Sequence, residues 1–199
     1  MTDNLQSIDT IGSMGKAQTQ KPSDPVQADY EDGKKFLENQ EYGQAAVALH
    51  NALVGFKEQN DETGIANASN QLGHVCLARN EYESALNHYQ QAFAICDKSN
   101  DRMSVLAVLP KIVEVHKALH QYDMAIENCL TILEHYQDNR NPQGTVTILE
   151  EMAEIYLQAE NKEKAADTYR TIASIHKNFR HENIAEGFMN KAEQLTSAS

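Results

Sequence analysis

The stretch NQLGHVCLARNEYESALNHYQQAF, residues 70–93, has small and bulky apolar side chains at regular spacing on both sides of a short polar segment at 79–81. After that segment, Tyr82, Ala85 and Tyr89 follow one another at steps of three and four residues. Such steps form the apolar stripe of an amphipathic helix. The stretch therefore predicts two helices that are joined by a tight turn.

The same pattern recurs at intervals of 40 residues. One column of the second helix holds alanine in all four copies, at Ala45, Ala85, Ala125 and Ala165. A column of small residues in the first helix has the members Gly33, Gly73, Val113 and Ala153. Small residues let two helix backbones approach closely. One helix pair cannot bury its apolar face alone, so the copies are predicted to stack on one another.

The helix boundaries recur with the same interval. Asp61, Asp101 and Asn141 have side chains suited to cap a helix N-terminus, and Pro142 suits a first helical position. The predicted helices are 25–39, 41–59, 61–79, 81–98, 101–119, 121–137, 142–159, 161–177 and 181–196.

The predicted fold class is all-α, an α–α superhelix over residues 25–196. It consists of four helix-turn-helix repeats, at about 25–60, 61–100, 101–140 and 141–180, and a C-terminal capping helix at 181–196. Residues 1–24 are polar and are predicted to be a disordered tail. The alternative for this tail is a short stripe that orders when it docks, formed by Leu5, Ile8, Ile11 and Met14.

The sequence resembles the tetratricopeptide repeat family. The motif that carries the resemblance is a small residue, a bulky residue and then alternating Tyr and Ala, here Gly73, Cys76, Tyr82, Ala85, Tyr89 and Ala92. The usual repeat of the family has about 34 residues. Members with longer, 40-residue repeats look like the Leu-Gly-Asn-repeat adaptor proteins, and the segment at 70–78 is close to their motif, with His74 in place of Asn. The other copies depart further from that motif.

This resemblance implies a right-handed superhelix whose first helices line a concave groove. It also implies a protein that holds partners, since proteins of this family rarely perform chemistry. The residues predicted to line the groove are Tyr30, Lys34, Asn67, Asn70, Gln71, His74, Lys111, Glu114, Glu150 and Glu154. Asn and Gln side chains both donate and accept hydrogen bonds, so they can bind a peptide backbone. The alternative is a solvated helix face.

Charge narrows the class of partner. The formal net charge is −12 and the acidic excess is spread along the chain, so a nucleic-acid backbone would be repelled. Glu114 and Glu154 would repel an anion and argue against a clamp for a C-terminal carboxylate. The carboxylates of the fourth copy, Glu150, Glu151 and Glu154, suit a basic or helical partner segment. Neither a signal peptide nor an apolar run of membrane length is visible, and three cysteines without a CxxC pair suit a reducing compartment, so a cytoplasmic location is expected.

Candidate catalytic and metal-binding residues have simpler explanations. His116 and His120 lie four residues apart on one helix, but without a third ligand His116 is predicted to be a core residue. Cys96 lies near a helix end and is predicted to be partly exposed. The absence of a nucleophile–base pair and of a phosphate-binding loop predicts a protein that is not an enzyme and needs no cofactor.

Pro110 falls inside the first helix of the third copy, where proline removes one backbone hydrogen bond. Two outcomes are open: a kink that frees the Leu106 carbonyl, or a helix that starts late with Pro110 in its first turn.

The predicted function is a scaffold or adaptor that binds a peptide or helix of a partner protein in the groove, and the oligomeric state is left open. The alternative is a structural subunit or an assembly factor of a larger complex, which would use the convex face or the edges. Apolar residues discriminate between them: a groove lined by Leu37, Leu77 and Leu157 favours capture, whereas exposed tyrosines elsewhere favour lateral assembly.

Overall fold

The computed structural model describes residues 24–197, and over these residues it is entirely helical apart from short turns. The helices are α1 Pro25–Glu38, α2 Tyr42–Gln59, α3 Glu62–Ala78, α4 Tyr82–Lys98, α5 Arg102–Ala118, α6 Tyr122–Asp138, α7 Pro142–Gln158, α8 Lys162–Asn178 and α9 Glu182–Ser197. Each predicted helix is confirmed, with ends that differ by at most one residue. The predicted tail lies outside the described residues except for Asp24, whose carboxylate caps α1 by accepting from the Val26 amide at 3.0 Å.

Each helix packs against its neighbours in sequence, and α1 also contacts α3. This sequential packing is that of an α–α superhelix, so the predicted fold class is confirmed. Within the described chain, no helix is long and apolar enough to cross a membrane.

The turns repeat every 20 residues. Each turn has one residue with a left-handed backbone, and in the described chain none of these is glycine: Gln40, Asn60, Asn80, Asn100, His120, Arg140, Glu160 and Arg180. The next residue then donates its amide back across the turn, as Glu81 does to the Cys76 carbonyl at 2.9 Å. A left-handed residue with such a bond is a common way to end a helix. The turns within repeats and between repeats therefore share one geometry.

Side-chain caps fix the starts of the first helices of the later repeats. Asp61 accepts from the Gly64 amide at 3.0 Å, Asp101 from the Ser104 amide at 3.1 Å, and Asn141 from the Gly144 amide at 2.9 Å. Pro142 occupies the first position of α7. These predicted caps are confirmed.

The repeated columns form the core. The four alanines of the second helices, Ala45, Ala85, Ala125 and Ala165, are all fully buried. At Gly73 an added Cβ would lie 2.5 Å from the Tyr89 ring, and at Gly33 it would lie 2.6 Å from Leu49. Only a residue without a side chain lets the paired helices approach this closely. In the third copy, where the facing column holds the smaller Cys129, Val113 occupies the glycine position.

Two local expectations are corrected. Helix α5 runs unbroken from Arg102 with Pro110 in its interior, so the late start is wrong. The Asp101 cap sets that start well before the proline. Cys96 is buried, not partly exposed, because its side chain faces the beginning of α5, where Asp101 and Ser104 lie beside it. Burial raises the pKa of its thiol.

Candidate functional site

The most organised polar group of the predicted groove lies on α3 and α4. The His74 Nδ1 atom is 2.9 Å from the Tyr89 hydroxyl, and its Nε2 atom is 3.5 Å from the Asn70 amide nitrogen. The His74 and Tyr89 rings meet edge to face with centroids 5.4 Å apart. Asn70 and His74 are four residues apart on one helix, so the 3.6-residue period brings them to one face.

Asn70 has one buried polar atom without a partner. Its Oδ1 atom is shielded from solvent and accepts no hydrogen bond from any described residue. If His74 carries its proton on Nδ1, the Asn70 amide nitrogen can donate to Nε2 and the oxygen is left over. If the proton is on Nε2, a turned amide can accept it, and the amide nitrogen is left over instead. Either way, one buried hydrogen-bonding atom of Asn70 has no partner among residues 24–197.

The protonation of this group is set by burial. Burial lowers the pKa of His74, the positive charge of Lys111 lowers it further, and Glu114 opposes both. Burial also raises the pKa of Tyr89 well above that of a free phenol. Both side chains are therefore neutral at pH 7 and act as hydrogen-bonding groups. Lys111 and Glu114 form an ion pair of 2.9 Å on α5. Both charges lie close enough to His74 to affect its pKa.

The predicted carboxylates of the fourth copy are exposed on α7. Neither Glu150 nor Glu154 has an ion-pair partner among residues 24–197, although both carboxylates contribute, after burial, to the raised pKa of Tyr169. Their neighbour Glu151 is instead paired with Lys117 of α5 at 2.5 Å, which joins the first helices of the third and fourth copies. The surface of α7 therefore presents two carboxylates without a cation.

The predicted residues of the first copy are occupied by contacts within their own repeat. The Tyr30 ring meets Phe56 edge to face at 6.1 Å, and the Lys34 ammonium lies 5.4 Å from the Tyr30 centroid. Lys34 also pairs with Glu31 at 3.2 Å, and this hydrogen bond is the main reason that the lysine pKa is raised. Asn67 is exposed, and Gln71 is half-buried beside Asn70.

An apolar cavity of about 370 Å³ lies between α5, α6 and α7. Pro110, Val113, Ile132 and Tyr136 supply apolar wall, and the ion-paired Glu151 is among its polar lining residues. This cavity was not predicted from the sequence, although Pro110 stands 40 residues after Asn70, at the equivalent position of the next repeat. A larger depression of about 760 Å³ beside His120 and Tyr156 lies at the turns and involves none of the predicted groove residues.

His116 and His120, the pair considered for metal binding, each contact a different side chain. His116 is buried and its Nδ1 atom is 2.7 Å from the Gln121 side-chain oxygen, which confirms the prediction of a core histidine. His120 has the Tyr122 hydroxyl 2.8 Å from its own Nδ1 atom. Across residues 24–197, no group of three or more His, Cys, Asp and Glu side chains is placed to hold a metal ion.

The cysteines are free, buried thiols. Burial is the first cause of the raised pKa of Cys76, and it raises the pKa of Cys129 to about 12. A thiol with a raised pKa is a poor nucleophile near neutral pH. The cysteines therefore act as apolar core residues.

Comparison with solved structures gives similar helical arrays at low identity. A variant of the nearly identical TPR-like repeats from a proposed kinesin light chain of Podosopora anserina is 14% identical with a TM-score of 0.68, and the match covers 87% of each chain. BtubC (BKLC) from P. vanneervenii is 14% identical with a TM-score of 0.60, over 87% of this chain and 80% of that one. The apo form of RapI is 14% identical with a TM-score of 0.66, over 86% of this chain and 62% of that one. At this identity the similarity shows the fold alone.

Comparison with models of protein families gives more direct evidence of the family. Two models, both described as tetratricopeptide repeat, match residues 68–103 and 104–178. The matches adjoin, so together they span more than half of the 199 residues. No curated protein matches the sequence significantly. With the repeated columns, the shared turn geometry and the sequential helix packing, these matches show that the chain belongs to the tetratricopeptide repeat family.

Proposed function

We propose that this protein is a non-enzymatic scaffold or adaptor that binds a peptide or a helix of a partner protein along the surface formed by α3, α5 and α7. The observation that carries the proposal is the half-buried Asn70 side chain beside the neutral His74, because one shielded amide atom of Asn70 has no hydrogen-bond partner among residues 24–197. A buried polar atom without a partner costs about 1–3 kcal/mol. Asn70 as a whole is only half-buried, so a turn of its side chain toward the groove would let a backbone amide of a bound segment supply the missing bond.

The charges and the cavity define the chemistry of this partner. Glu150 and Glu154 lack cations within the described chain, so a partner segment with Lys or Arg at this end is favoured. The apolar cavity between α5, α6 and α7 is suited to a large apolar side chain of the same segment. We therefore expect a segment with an apolar anchor and basic residues near it.

The proposal also covers the long-repeat subgroup and the cytoplasmic location. The 40-residue repeat is similar to that of the Leu-Gly-Asn-repeat adaptors, and a cytoplasmic adaptor role is consistent with buried, free cysteines. The departures from that subgroup's motif outside the second copy mean that its partners are not carried over.

The proposal is tested by selecting peptides from a display library on the full chain and measuring their affinity for variants by calorimetry. Asn70→Ala should weaken binding by about 5–10-fold, since a lost hydrogen bond to a buried group is worth about 1 kcal/mol or slightly more. The same change should alter the stability of the free protein little, because it removes an atom without a partner among residues 24–197 together with only a long contact of 3.5 Å to His74. Asn87→Ala, at an exposed position of α4, is the matched control.

Two results would count against the groove. One is the selection of peptides without basic or apolar residues, and the other is equal affinity of the selected peptides for wild type and Asn70→Ala. Glu150→Gln together with Glu154→Gln should also reduce affinity and flatten its dependence on salt, because exposed charges are screened by added salt.

A second candidate is a structural subunit or an assembly factor that uses the ends or the convex face. Leu37, Leu77 and Leu157 are half-buried, whereas the large exposed apolar residues lie outside the predicted groove. Three of these, Phe179, Ile184 and Met189, are at the C-terminal end and are 54%, 48% and 40% exposed. Sedimentation of wild type and of Phe179→Ser with Ile184→Ser would show whether this end associates. A monomer at all concentrations in both would remove self-assembly through this end.

A further inference from the structure

The turn between α8 and α9 brings two histidines together. The His181 amide donates to the His176 carbonyl at 2.9 Å, which is the bond that closes every turn of this array. That bond places the side chains at the two positions beside each other. Equivalent pairs in other turns are His116 with Gln121 and Cys76 with Glu81, and only the last described turn pairs two imidazoles.

The two imidazoles face each other through their nitrogens. The Nδ1 atoms of His176 and His181 are 3.3 Å apart, whereas the ring centroids are 5.6 Å apart. The nitrogens are therefore on the facing edges of the two rings, with the rest of each ring behind them. Neither ring has another hydrogen-bond or ion-pair partner within residues 24–197.

We propose that His176 and His181 form a binding site for a tetrahedral divalent cation of the zinc type. Zinc–nitrogen bonds are about 2.0–2.1 Å long. Two such bonds across the observed separation of 3.3 Å enclose an angle of about 104–111°, which includes the tetrahedral value. A square-planar ion would need the two nitrogens about 2.9 Å apart. The separation therefore fits a tetrahedral ion once each ring turns to aim its Nδ1 lone pair at the ion and not at the other ring.

Aromatic neighbours cover the faces of both imidazoles. The Phe188 ring of α9 stacks on His176 at 5.7 Å with an interplanar angle of 5°, and Phe179 stacks beside His181 at 6.3 Å with an angle of 27°. These contacts cover ring faces and leave the facing nitrogen edges to bind. His181 is exposed, so an ion can reach the pair from solvent.

The bound ion would join the last turn of α8 to the beginning of α9. Two protein ligands leave the remaining positions to water, so the site is weaker than a structural site with four protein ligands. Its effect would be to hold the capping helix α9 on the array in proportion to the concentration of the free ion. This role does not depend on the proposed groove.

The competing interpretation is a direct N–H···N hydrogen bond between the rings, which binds no ion. The two are separated by titrating the metal-free full chain with zinc chloride in a calorimeter. Wild type should bind one ion. His176→Gln and His181→Gln should each weaken binding by at least about tenfold, since even a residue that only supports a ligand is worth about 10–100-fold.

His50→Gln is the matched control, because His50 is an exposed helical histidine far along the chain from the pair. It should bind zinc as wild type does. Circular dichroism checks that the variants fold, and nitrogen NMR of the imidazoles should show the zinc-induced change at Nδ1 of both histidines. The proposal is overturned if wild type binds no zinc, if binding survives both substitutions, or if His50→Gln reduces it equally.

Discussion

Gly73 is a residue at which the close pairing of two helices requires the absence of a side chain. An alanine Cβ there would lie 2.5 Å from one ring carbon of Tyr89 and 2.6 Å from another, and Tyr89 is fully buried with its hydroxyl bonded to His74. The ring cannot move without breaking that bond. The tight pairing of α3 with α4 and the polar group of the groove therefore rest on the same contact.

Gly73→Ala should lower the free energy of unfolding by about 1–3 kcal/mol, the usual cost of overpacking a filled core. Urea unfolding followed by circular dichroism measures this. Gly43→Ala is the control, because an added Cβ there meets nothing within 4 Å and alanine favours a helix. A destabilised Gly43→Ala, or a Gly73→Ala as stable as wild type, would contradict the packing described here.

The buried His74 predicts a dependence of stability on pH. Burial, with help from Lys111, lowers the pKa of His74 in the folded chain below its value in the unfolded chain. As the pH falls through the usual histidine range near about 6.5, the unfolded chain takes up the proton first, so stability falls. His74→Gln should make the decline between pH 7 and about 5 shallower. An identical pH profile for wild type and variant, measured by urea unfolding, would show that His74 is not the group responsible.

At the scale of single elements, the turns carry strain that could be relieved. Glu160 has a φ of 58° and is exposed. A residue other than glycine in this conformation costs about 1–2 kcal/mol, part of which is offset because glycine loses more freedom on folding. Glu160→Gly should therefore stabilise the protein by about 0.5–1 kcal/mol and raise its melting temperature. Glu163→Gly, at the second residue of α8, should lower it, because glycine is a poorer helix former than glutamate. A lowered melting temperature for Glu160→Gly would contradict the left-handed assignment.

Helix α5 tolerates a proline because its other residues hold it in place. Val105, Leu109 and Ile112 are buried around Pro110, so packing maintains the helix although one backbone donor is missing. Pro110→Ala restores the missing hydrogen bond to the Leu106 carbonyl. The greater freedom of the unfolded chain offsets part of this gain, so the free energy of unfolding should rise by about 1–2 kcal/mol. Chemical unfolding measures the change. A loss of stability would show that the backbone at this position requires proline.

These elements also show what the sequence could and could not predict. The helices and their caps were predictable because alanines, small residues and Asp or Asn caps recur in register. The effect of Pro110 on α5 was not predictable, because the local preference of proline opposes a helix at this position whereas the burial of its neighbours, a tertiary effect, favours one. The burial of Cys96 likewise depends on the start of the following helix.

The candidate site was predictable as a set of positions and not as a set of contacts. The four-residue separation of Asn70 and His74 predicted that they share one helix face, but the hydrogen bond to Tyr89 joins two helices and depends on the closeness allowed by Gly73. The pair His176 and His181 was missed for a different reason. Their five-residue separation is not a helical spacing, and the turn brings them together.

At the scale of the whole molecule, contacts link the first helices of neighbouring repeats in an acidic helical array over residues 24–197. Lys111 and Glu114 on α5 act on His74 of α3, and Lys117 on α5 pairs with Glu151 of α7. Neighbouring repeats are thus coupled along one face, and the carboxylates at Glu150 and Glu154 remain without cations in the described chain. A segment that runs along this face meets an acceptor or donor at Asn70, an apolar cavity and then negative charge.

The most direct test of the proposed groove is to map by NMR which residues contact a bound peptide. The peptide is one selected on the full chain, and the signals followed are those of the backbone amides and of the Asn side-chain amides. Shifts and intermolecular contacts should concentrate on α3, α5 and α7, and the side-chain amide of Asn70 should shift more than that of Asn87. Contacts confined to the exposed residues of α2 and α6, or to Phe179, Ile184 and Met189 at the C-terminal end, would contradict binding in the groove and favour assembly through the convex face or the end.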